Sequence, residues 1–189
     1  MTCRFPCSIA LAVTLITGAV PCTQAAEYTR VNPAASKISF TFNQMGSEVY
    51  GTFGRFEARF EFDTANPTAA RTRLVIDMAS IDAGSSDANL ELQKPAWFNT
   101  PEYPQGVFES TRVTDLGNNR YAVIGNLTIR GLTREVQVQV ELKPESGIGL
   151  FNGEFVLDRD LFRIGEGEWA DTVVSKDIDI KFRVVAPEH

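Results

Sequence analysis

Glu135-Val-Gln-Val-Gln-Val-Glu-Leu142 alternates polar and apolar side chains without a break. Successive side chains of an extended chain leave opposite faces. Val136, Val138, Val140 and Leu142 therefore share a dry face, and Glu135, Gln137, Gln139 and Glu141 a wet one. This is the pattern of an antiparallel strand covered on one side. The same period of two recurs at Ile38-Phe40-Phe42, Phe56-Ala58-Phe60-Phe62, Leu74-Ile76-Met78 and Ile178-Ile180-Phe182-Val184, each with mostly charged or polar residues between. Further strands are expected over 49–55, 106–115, 119–130 and 149–158. Turn chemistry separates the strands at Asn66-Pro67, Gly117-Asn118-Asn119, Pro144-Glu145-Ser146-Gly147 and Arg159-Asp160.

Eight or nine such strands laid flat would expose two edges and an apolar face. Closure into a barrel removes the edges, and a two-sheet sandwich covers the same faces. Periodicity is compatible with both. Only Ser86-Asp-Ala-Asn-Leu-Glu-Leu-Gln-Lys94 reads as a short helix, ending near Pro95. With no linker, internal repeat or low-complexity tract, the chain reads as one all-β domain.

The first 25 residues read as an export leader. Arg4 is their only charge, Ser8 to Val20 is apolar, and Thr23 and Ala25 are small residues suited to cleavage after Ala25. An apolar run of about 13 residues is too short for the ~20 that span a bilayer, so stable membrane insertion is not expected. The domain then occupies 26–189, and a periplasmic location is expected. Removing Arg4 leaves 17 basic against 24 acidic residues, a net −7. An acidic chain without a Lys/Arg cluster is not a nucleic-acid binder.

Residue counts exclude whole classes of chemistry. Cys3, Cys7 and Cys22 all fall in the leader, and the single histidine is the terminal His189. Disulfides, thiolate or histidine metal sites, cysteine nucleophiles and serine–histidine triads are therefore not expected. Carboxylates are left, chiefly in Gly165-Glu-Gly-Glu-Trp-Ala-Asp171. Their spacing matches no calcium loop, and the two glycines suit a plain turn. The 12 Phe, 2 Trp and 4 Tyr that follow the leader, many at inward positions, are consistent with a solid core or with a lined cavity for an apolar ligand.

Four stretches taken in order resemble the YceI family of exported, lipocalin-like, polyisoprenoid-binding proteins. They are Gly51-x-Phe53 with Phe56 and Phe60; Leu90 to Thr111, with Trp97-Phe98-Asn99, Tyr103-Pro104 and Phe108-x-Ser110; Gly125-x-Leu127-Thr128-Ile129-Arg130-Gly131-x-Thr133; and Gly153-x-Phe155 through Arg159, the acidic loop and the last strand. Arg130, Glu135 and Arg163 depart from the family pattern, standing where His, Pro and Gly are common.

The resemblance implies an extended eight-stranded antiparallel lipocalin-like β-barrel with one short helix, enclosing a long hydrophobic tunnel. It implies a non-catalytic carrier with no cofactor, whose ligand is an isoprenoid quinone, a polyprenyl phosphate or a similar amphiphilic lipid. By strand parity the tunnel lining is expected from Phe40, Phe42, Phe60, Leu74, Ile76, Trp97, Phe98, Phe108, Phe155 and Phe162. Arg130 and Arg163 are candidates for the lipid head group. No catalytic or metal-binding residue is assigned, and a homodimer is left open. The alternative reading is a carboxylate-dependent enzyme using the 158–171 acidic loop on a lipid-linked or sugar substrate.

Overall fold

A computed structural model describes residues 25–167 and 173–189. The predicted leader, apart from Ala25, lies outside the described residues with its three cysteines, as do Glu168, Trp169 and Asp171 of the acidic loop.

The chain forms strands β1 (Glu27–Tyr28), β2 (Lys37–Gln44), β3 (Ser47–Phe53), β4 (Phe56–Asp63), β5 (Arg71–Asp77) and β6 (Ile81–Asp82). Helix α1 (Ser86–Leu92) follows, then β7 (Gln105–Gly117), β8 (Arg120–Ile129), β9 (Leu132–Glu145), β10 (Ile148–Asp158) and β11 (Asp177–Pro187). They make one antiparallel sheet in the order β1-β4-β5-β7-β8-β9-β10-β11-β2-β3-β6. β3 and β4, near opposite ends of this order, are consecutive in the chain. They are the two halves of one strand bent at Gly54-Arg55, the first paired with β2 and the second with β5. That bend curls the sheet on itself. Counted once, and with two-residue β1 and β6 taken as end pieces, it gives the expected eight-stranded barrel.

The ends are pinned differently. At one, β1 pairs with β4 and bridges from Tyr28 to Glu188, while the His189 N–H donates to the Glu27 carbonyl. At the other, β6 pairs with the end of β3, and α1 lies against it. Ser85 caps α1, its hydroxyl accepting from the Ala88 N–H. The helix stops two residues short of the predicted Lys94, because Pro95 forces a turn in which the Phe98 N–H reaches back to the Leu92 carbonyl.

Four hairpins close through two-residue loops at 45–46, 118–119, 130–131 and 146–147, with both residues at positive φ. This mirror-image turn matches the twist of the flanking strands. The turn predicted over 144–147 shrinks to Ser146-Gly147, and β9 runs through Pro144. The Leu142 N–H donates to Asn119, at the start of β8. Two residues on, the Pro144 nitrogen points the same way, past the end of β8, where no donor is needed.

Met45 sits in this left-handed conformation (φ 50°) with 81% of its surface exposed. Asparagine tolerates that backbone better. Met45→Asn is therefore expected to raise unfolding free energy by about 1 kcal/mol, seen as a higher denaturant midpoint at unchanged slope.

Candidate functional site

The barrel is hollow. Val113, Tyr121, Phe151 and Phe62 close around Tyr28 at the β1 end, and Phe40, Met78, Phe98, Leu127 and Ile164 form a second cluster at the α1 end. Between them Phe60, Leu74, Ile76, Phe108, Phe155 and Ile180 face inward yet are only half-buried. Their exposed area looks onto an internal cavity of about 210 Å³. From Phe151 to Leu157, both on its wall, the lumen runs ~20 Å along one strand at about 3.3 Å per residue.

Glycines on neighbouring strands keep this space open. Gly51 faces Phe40 across β2–β3, and Gly153 faces Phe182 across β10–β11. A Cβ on either glycine would lie 2.1 Å from the facing Phe Cζ, and one on Gly125 would lie 2.5 Å from the Phe108 ring. Each ring therefore lies flat across bare backbone instead of projecting into the lumen. The Gly-x-Phe motifs beginning at Gly51 and Gly153 take their physical meaning from this packing. Gly153→Ala would push the Phe182 ring off the wall. We expect a loss of about 1–3 kcal/mol in unfolding free energy, measured by urea titration of both proteins.

Nine of the ten residues expected to line the tunnel are on this wall: Phe40, Phe42, Phe60, Leu74, Ile76, Trp97, Phe98, Phe108 and Phe155. Phe162 is not. It is 1% exposed and packs inside the α1-end cluster, outside the cavity lining. The 3₁₀ turn at Arg159–Phe162 ends the strand alternation on which its assignment rested.

The two head-group candidates are also placed elsewhere. Arg130 sits in the 130–131 turn, where its Nη2 donates to the Pro95 carbonyl at 2.9 Å. Arg163 is exposed and paired with Glu166 at 2.8 Å, and its φ of 55° explains why glycine suits that position. The wall also holds two further aromatics, Tyr121 on β8, paired across β8–β9 with Val140, and Phe182 on β11, which continues the parity of Ile178-Ile180.

The lumen's one charged residue among those described is Arg159, which sequence reading left without a role there. It is 4% exposed. Its Nε donates to the Ser175 carbonyl (3.1 Å), Nη1 to those of Ile164 (2.8 Å) and Gly165 (3.4 Å), and Nη2 to that of Val174 (3.3 Å). The Asp160 carboxylate lies 3.5 Å away. One guanidinium thus ties together both described stems of the acidic loop. The 165–166 stem is held in turn to the Ala96 carbonyl and lies against Trp97.

The described acidic residues nearby are engaged. Asp158 pairs with Lys176 at 3.1 Å and raises that ammonium's pKa, while Arg163 holds the Glu166 carboxyl below its ordinary value. Glu91 is likewise held down by its pairing with Lys94. At the β1 end, Tyr28 is fully buried and its hydroxyl has no partner among the described residues. Burial, and then Glu188, push its pKa up.

A closed antiparallel barrel with an apolar lumen is a ligand-enclosing scaffold. Residues 29–186 match the YceI-like domain, and the chain belongs to that family. It is similar to BcnA of Burkholderia cenocepacia, 35% identical, with a TM-score of 0.81 over 83% of this chain and 99% of that one. A polyisoprenoid-binding domain from Saccharophagus degradans, implicated in plant cell wall breakdown, shares the fold at 14% identity, with a TM-score of 0.63 over 87% of this chain and 98% of that one. The chain is 37% identical over 106 residues to a UPF0312 protein of Yersinia pestis (strain Pestoides F). That stretch is 56% of this chain and 55% of the relative, so the chain spans about half the length of the curated relatives it matches. No helix among the described residues is long and apolar enough to cross a membrane.

Proposed function

We propose that the protein is a periplasmic, non-catalytic carrier that holds a long-chain isoprenoid, or a similar lipid, in the barrel lumen. The observation that carries this reading is the lumen itself: ~20 Å of apolar wall with one charge among the described residues, already bound to main-chain carbonyls. Each methylene buried there contributes ~0.8 kcal/mol, so a long chain binds firmly without a hydrogen bond. Left empty, a cavity of about 210 Å³ would cost roughly 5 kcal/mol at 24 cal/mol per Å³, which favours occupancy. The polyisoprenoid-binding relative shares this fold. The leader-like residues 1–25 support export, and the pairing of the described carboxylates with bases supports a binding role over catalysis.

Native mass spectrometry of the protein purified from an exporting host, followed by organic extraction, tests the proposal. The expected result is a stoichiometric, solvent-extractable adduct of several hundred daltons or more (as for any long-chain lipid) on a chain beginning at Ala26. A bare protein mass that stays bare after incubation with ubiquinone, a polyprenol and squalene would remove the carrier reading. Retention of the full chain in the cytosol would remove the periplasmic one.

A further inference from the structure

We infer that the lumen selects lipids with an uncharged oxygen at the polar end, a hydroxyl or carbonyl, and receives that oxygen at the β1 end beside Thr72 and Tyr121. The inference deepens the lipid-carrier reading and rests on it.

The two ends of the lumen differ in chemistry. At the α1 end the charged group on the described wall already has partners. Arg159 is bound to four carbonyls and to Asp160. Of the cations flanking that end, Arg163 is paired with Glu166, and Arg130 donates through Nη2 to the Pro95 carbonyl while its Nη1 is buried without a partner among the described residues; neither side chain is on the described wall. A phosphate or carboxylate drawn into this lumen would therefore lose its water without gaining a dedicated counter-charge, an arrangement that proteins avoid.

At the β1 end the groups are neutral. Thr72 and Tyr121 carry the only hydroxyls on the described wall. Thr72 is paired across β4–β5 with Phe60, whose ring contacts Phe151 at 4.7 Å, and Tyr121 lies 5.0 Å from Phe62. Behind Phe62 and Phe151 stands Tyr28, with ring centroids at 6.5 and 5.3 Å. Its buried hydroxyl has no partner among the described residues. A buried hydroxyl left unsatisfied is destabilising, and natural structures resolve it with a ligand or an ordered water. Tyr28 itself is not on the described wall, so a neutral ligand oxygen at this end meets the Thr72 and Tyr121 hydroxyls first. Two hydroxyls on the wall at one end, and an already engaged guanidinium at the other, give the lumen a polarity that its apolar wall would otherwise lack.

The test compares four probes on the lipid-stripped protein by intrinsic tryptophan and tyrosine fluorescence: a long-chain polyprenol, its monophosphate ester, a ubiquinone, and squalene as a headless hydrocarbon. The polyprenol and ubiquinone are expected to bind at least roughly tenfold more tightly than the phosphate ester. Tyr121→Phe and Thr72→Val are each expected to weaken the two oxygen-bearing lipids about fivefold and to leave squalene unchanged.

Phosphate ester binding as tight as polyprenol, or equal weakening of squalene by Tyr121→Phe and Thr72→Val, would overturn the inference. If squalene binds but no head is preferred, only the inference falls. If none of the four binds, the carrier reading falls and takes the inference with it. Should Tyr121→Phe fail to fold, Thr72→Val carries the same comparison.

Discussion

Arg159→Met is expected to be among the most destabilising single substitutions in this chain, lowering unfolding free energy by about 3–5 kcal/mol. The side chain is 4% exposed, and Met matches its length and its apolar stem. What Met cannot do is donate to the carbonyls of Ile164, Gly165, Val174 and Ser175. Buried carbonyls without donors each cost about 1–3 kcal/mol, partly relieved by water. For a domain of this size the loss corresponds to a melting temperature lower by about 10 °C. Arg159→Lys keeps the charge but has no planar fork of donors, so it should recover about half of the loss. Urea titration of the three proteins, stripped of lipid, reads the order directly. Equal stability of Arg159→Met and the parent would show that the clasp is not what holds the loop stems.

Ala58→Trp is expected to abolish lipid uptake, by roughly tenfold or more in retained lipid, without destabilising the lipid-free protein. Ala58 lies on the wall, paired across β4–β5 with Leu74. An indole there projects into open space and displaces several methylenes of ligand, each worth ~0.8 kcal/mol. In a solid core the same change would overpack and cost about 1–3 kcal/mol. In a hollow one it fills a void and is neutral or stabilising. The sign of the stability change therefore separates the two interiors, independently of any lipid assay. A destabilised protein that still carries its full complement of lipid would refute the hollow-barrel account of this wall.

Strand parity accounts for most of the wall, because a side chain's face in a strand depends only on whether its number is odd or even. That rule turns Phe40, Phe60, Leu74, Ile76, Phe108 and Phe155 toward the interior, and all six lie on the described wall, along β2, β4, β5, β7 and β10. It failed at Phe162, where a 3₁₀ turn interrupts the alternation. It was also silent for Arg130 and Arg163, which sit at turns in the left-handed conformation and are not on the described wall. Arg159 was visible in the sequence as one more basic residue beside a turn. Its role depends on four carbonyls, and backbone carbonyls leave no trace in residue identity.

Fold class was readable before any coordinates, since the period of two, the turn residues and the family motifs are local features of the chain. Which strands meet is not local. The bend at Gly54-Arg55, which lets one strand pair with β2 and then with β5, is what makes a barrel of segments that would equally suit a sandwich. A hollow interior is less local still. An inward phenylalanine can fill a lumen or lie flat on its wall, and the choice is made by a glycine on the neighbouring strand, about a dozen residues away at Gly51 and nearly thirty at Gly153. Sequence specifies both partners of each pair, but only the register of the folded sheet brings them face to face.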